Sequence, residues 1–92
     1  MSLMNKEDNN MTELKDTITL MESDDFRDRF RAEYYQTKIR YDKLHQMVKK
    51  LEAGTLSFEP KCPLSLFKEQ LSFMGQYLYK LEVRAEIEGI TL

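Results

Sequence analysis

Two rows of side chains in this chain have the types and spacing to hold an anion. In the first half, Arg27, Arg31, Tyr35, Lys38, Asp42, His45 and Lys49 recur at steps of three and four. That spacing places side chains on one face of a helix. Guanidinium groups grip phosphates through paired N–H donors, and aromatic rings stack on bases. In the second half, Leu66, Gln70, Phe73, Tyr77, Lys80, Arg84 and Ile87 follow the same rule. The candidate ligand-binding residues are therefore Arg31, Tyr35 and Lys38 from one row, and Tyr77, Lys80 and Arg84 from the other. Basic residues on a helix flank also fit a solvated face with covered aliphatic stems. The pattern alone leaves both readings open.

No catalytic constellation is visible. The chain has no Gly-rich phosphate loop, no paired histidines and no GxSxG turn. Cys62 is followed directly by Pro63 and has only His45 as a conceivable base. Packing or capping in a loop suits Cys62 better, and His45 reads as a surface residue. The acid pairs Glu82/Glu86 and Glu86/Glu88 read as solvated helix charges. Cys62 and His45 alone cannot build a structural zinc site, which needs four such ligands. The expectation is a protein that is not an enzyme and uses no cofactor or metal.

The elements that must position these rows are two long helices. Phe30, Tyr34, Thr37, Tyr41, Leu44, Val48 and Leu51 form one apolar stripe. Leu64, Phe67, Leu71, Met74, Leu78, Leu81 and Ala85 form the other. Ser23 or Asp24 can cap the first helix, and Gly54 ends it where a positive φ is wanted. Pro63 suits the first turn of the second helix, and Gly89 ends it. The expected fold is all-α, an antiparallel two-helix hairpin over about 24–53 and 63–88. An acidic flexible leader spans 1–16, and the hairpin domain spans 17–92. Thr17-Ile18-Thr19-Leu20-Met21 is β-branched and alternating, so it reads as extended. In a hairpin it neighbours Ile90–Leu92, and either a short strand pair or two unpaired tails would fit.

Size and charge point beyond a single copy. The chain has 92 residues and one cysteine, so two helices must build a core without a disulfide. Self-association is the remaining stabiliser. The second row on the second helix cannot be covered by the same partner as its main stripe. Leu66, Phe73, Gly75, Tyr77 and Ile87 are thus the expected homo-oligomer interface, with mid-helix Gly75 admitting a second backbone. Residues 1–25 carry a net charge of −5, residues 26–50 carry +5, and residues 51–92 carry −2. The basic segment raises DNA binding, but its helix carries a long core stripe and interleaved acids, which argues against it. No apolar run reaches the roughly 20 residues of a membrane span. With no signal-peptide pattern and a free thiol, the expected location is the cytoplasm.

The stretches Ser23-Asp24-Asp25-Phe26 to Glu33-Tyr34-Tyr35-Gln36-Thr37-Lys38-Ile39-Arg40-Tyr41, Glu52-Ala53-Gly54 to Cys62-Pro63, and Met74-Gly75-Gln76-Tyr77-Leu78-Tyr79 to Ile87 resemble a family of small bacteriophage and prophage proteins related to one from a crAss-like phage. The resemblance covers about residues 17–92 and implies phage origin, in a bacterial host cytoplasm. In architecture only, the hairpin is similar to the sponges that phages use against anti-phage signalling. That likeness implies an oligomer sequestering a cyclic nucleotide at subunit interfaces. The alternative is a structural or adaptor protein that binds another phage or host protein through its exposed stripe.

Overall fold

The computed structural model describes residues 11–92. A 3-10 turn at Leu14–Thr17 runs into a one-turn helix α1, Ile18–Met21. Two long helices follow, α2 (Phe26–Ala53) and α3 (Leu64–Glu88). Among the described residues there is no strand. The leader expected over residues 1–16 lies largely outside the described residues.

Local chemistry sets the ends of α2. The Asp25 side chain accepts from the Arg27 backbone N–H at 2.9 Å, so the cap is Asp25 rather than Ser23 or Asp24. Ser23 supports it by accepting from the Asp25 backbone N–H and donating to Asp28. Gly54 closes the helix with φ 78°, and the Thr55 N–H returns to the Lys50 carbonyl. Gly89 ends α3 with φ 70° in the same manner. The Ile90 N–H then reaches the Ala85 carbonyl at 2.9 Å, and the Ile90 side chain is buried.

The helices are antiparallel. The pairs Phe30–Arg84, Tyr34–Glu82, Tyr41–Gly75 and Glu52–Lys68 meet in order along the hairpin. The main core sits at the end remote from the α2–α3 loop. Phe30, Tyr34, Leu78, Leu81, Ala85 and Ile90 form it, with Tyr35, Tyr41 and Leu92 packed on its edge. Toward the loop, Leu44, Leu51, Leu64, Phe67 and Leu71 are only half-buried.

The expectation of an extended Thr17–Met21 segment, with a strand pair to Ile90–Leu92, is corrected. The Thr17 hydroxyl donates to the Leu14 carbonyl at 2.8 Å, a local bond that favours a tight turn over a strand. The turn and α1 pack on α2. Gln36 donates to the Thr17 hydroxyl at 3.0 Å, and Lys43 pairs with Glu13 at 3.3 Å. Ala32 and Ile39 lie on that same side of α2, half a turn from the Phe30–Tyr34 stripe, and both are buried. The β-branched residues serve a docked turn, because packing overrides a weak strand propensity. The Ile90–Leu92 tail is held instead by Arg31, whose Nε donates to the Thr91 carbonyl at 2.7 Å.

Helix α2 is therefore covered on two sides. Among the described residues, α3 packs against α2 alone. No helix of the described residues is long and apolar enough to cross a membrane.

Candidate functional site

A groove runs between α2 and α3 where the core thins. One part, about 310 Å³, is lined by Tyr41, His45, Val48, Lys49, Glu52, Lys68, Leu71 and Ser72. An adjoining part, about 490 Å³, shares Tyr41, Leu71 and Ser72 and adds Gly75, Gln76, Tyr79 and Lys80. On α2 the lining follows a row of fours, Tyr41–His45–Lys49, that spirals off the edge of the core stripe. On α3 it follows Lys68, Ser72, Gly75 and Tyr79.

The floor is set by Tyr41 and Gly75. A side chain built on Gly75 would meet the Tyr41 ring at 3.6 Å, so the small residue opens space under the aromatic. The His45 ring lies 5.6 Å from the Tyr41 ring in a tilted arrangement. At the loop end, Lys68 pairs with Glu52 across the groove at 2.7 Å and joins the two walls. Among the described residues, Lys49 and Lys80 form no ion pair. Gln76 donates to the Ser72 hydroxyl at 3.2 Å and adds polar lining. The groove thus offers two tyrosine faces, two uncommitted ammonium groups and one imidazole. These groups can stack on a planar ring and neutralise a phosphate.

The structure distributes the six sequence candidates differently from a single pocket. Arg31 pairs with Asp28 at 2.9 Å and clamps the C-terminal tail through Thr91. Lys38 pairs with Asp42 one turn on, at 2.9 Å. Tyr35 packs edge-on against Tyr34, with ring centres 5.2 Å apart. Arg84 lies 4.8 Å over the Phe30 ring and 3.6 Å from Glu88. Tyr77 is exposed on the outer side of α3. Lys80 is the one candidate that lines the groove. Tyr41, Ser72 and Tyr79 are groove residues outside both sequence rows, and His45 and Lys49 stood in the first row without being named as candidates. Their signal was the Tyr41–His45–Lys49 row facing small residues, but Tyr41 reads equally well as core.

Of the residues expected at a subunit interface, Leu66, Phe73, Tyr77 and Ile87 are exposed at 47, 65, 43 and 79 %. Gly75 sits apart from them, turned toward Tyr41 of its own chain. Among the described residues, no cluster of three or more His, Cys, Asp or Glu is placed to hold a metal. Cys62 is exposed in the loop.

Fold and groove together define a small helical hairpin with an open basic and aromatic cleft. The chain belongs to the Sequestin family, whose model matches residues 24–87, the span of α2 and nearly all of α3. No curated protein and no solved structure matches it.

Proposed function

We propose that this chain is a non-catalytic sequestering protein that works as a homo-oligomer and captures a small anionic, aromatic signal in the α2–α3 groove. A nucleotide or cyclic nucleotide fits that chemistry. The biological setting that suits it is phage or prophage defence evasion in the bacterial cytoplasm, where an abundant small binder lowers the free signal. The family match supports a sequestering role. The observation that carries the reading is the placement of unpaired Lys49 and Lys80 beside Tyr41 and Tyr79 along one cleft.

The test is a thermal-shift and calorimetric screen against cyclic di- and trinucleotides and ADP-ribose derivatives. Ligand at one hundred times Kd stabilises the folded state by about 2.7 kcal/mol, a clear rise in Tm. Lys49→Ala and Lys80→Ala should each weaken binding, while Lys38→Ala should not. A screen with no stabilisation at high excess would sink the ligand reading.

The second reading is an adaptor whose outer α3 stripe meets another phage or host protein. The exposure of Phe73 and Ile87 favours it. A stable homo-oligomer that buries this stripe removes the surface it requires.

A further inference from the structure

The outer face of α3 is apolar at Leu66, Phe73, Val83 and Ile87, all of them exposed, with half-open Tyr77 at its edge. Helix α2 has a second cover from the turn and α1, whereas α3 has none among the described residues. Charge on this face is ordered along the helix. Glu69 stands in the N-terminal half, while the C-terminal half carries Lys80, Arg84 and Glu88, of which Arg84 and Glu88 pair within the chain at 3.6 Å. The row is also symmetric about Tyr77. Leu66 and Ile87 lie about equally far before and after it, as do Gln70 and Arg84, and Phe73 and Lys80.

We infer that this face meets the same face of a second copy, with the two α3 helices antiparallel about a two-fold axis beside Tyr77. A face that pairs with itself must be self-complementary. In the antiparallel arrangement, Leu66 of one copy faces Ile87 of the other, and Glu69 comes within reach of Arg84. In a parallel arrangement, Glu69 would face Glu69 and the cations would face each other. Flanking charges of this kind set helix orientation. The second copy also supplies to α3 the apolar cover that the turn and α1 supply to α2. This inference rests on the self-association in the proposed function and is independent of its ligand.

The experiment is sedimentation velocity over a concentration series, with circular dichroism to check helix content. It compares the full chain with Glu69→Lys, Arg84→Glu, an equimolar mixture of the two, and the double variant. The wild-type chain should dimerise. Each single variant places like charges together twice across the axis and should weaken dimerisation about tenfold. The mixture should form a heterodimer near wild-type affinity, because each copy then faces an opposite charge, and the double variant should recover the homodimer. Single variants with unchanged affinity, or a mixture no tighter than either, overturn the antiparallel seam. A wild-type monomer at every concentration overturns both the seam and the self-association of the proposed function, while the ligand screen still reports on the groove.

Discussion

The Tyr34 hydroxyl donates to the Glu82 carboxylate at 2.7 Å and joins the N-terminal third of α2 to the C-terminal third of α3. Tyr34 is 8 % exposed, so its ring belongs to the core while its oxygen reaches the rim. Burial, and then the bond to Glu82, push the phenol well above its ordinary value of 10.0. Tyr34→Phe keeps the ring and removes the bond. It should cost about 1 kcal/mol in urea unfolding, with an unchanged m-value.

The same shift fixes the sign of an alkaline effect. The folded state holds the Tyr34 proton more tightly than the unfolded state. Its contribution is fully present below about pH 10 and is lost as pH rises through the folded value. Tm should therefore fall above about pH 10 in the wild type and fall less in Tyr34→Phe. Parallel alkaline profiles of the two proteins would count against this linkage.

Arg31 acts as a tether for the C-terminal tail. It bonds the Thr91 carbonyl and pairs with Asp28, which itself accepts from Ser23. Arg31→Ala should cost about 1–3 kcal/mol, the range for a hydrogen bond to a charged group. Hydrogen exchange should show faster opening around Ile90. Ligand affinity should stay unchanged, since Arg31 lies outside the groove lining.

Gly75 gives a prediction of opposite sign. An alanine there meets the Tyr41 ring at an ordinary contact distance of 3.6 Å. Removing a mid-helix glycine should stabilise α3 by about 1 kcal/mol. A raised Tm for Gly75→Ala is the expected result. A lowered Tm, with loss of the oligomer, would mean that a second backbone packs at Gly75 after all.

Thr17 is fully buried, donates to Leu14 and accepts from Gln36. Thr17→Val keeps its shape and strips both bonds. It leaves the Leu14 carbonyl and one Gln36 donor short of a partner, at about 1–3 kcal/mol. Protease sensitivity near α1 should rise, because the cover over Ala32 and Ile39 loosens.

The sequence by itself determined the hairpin. The three-four rows, Gly54, Pro63 and Gly89 are local signals, and each acts within a turn or two of its own position. The bounds of α2 and α3 follow from them almost residue by residue. Tertiary structure decided the site. Arg31, Tyr35 and Lys38 looked equivalent to Lys49 by spacing, but Arg31 is tied to a tail 60 residues away. Lys38 is neutralised by Asp42. Thr17–Met21 was extended by composition and became helical because α2 offered it a face. The reason is physical. Helical periodicity is a property of the backbone and is written in consecutive residues. Whether a cation is free, or a tyrosine lines a groove rather than a core, depends on what the other helix brings beside it.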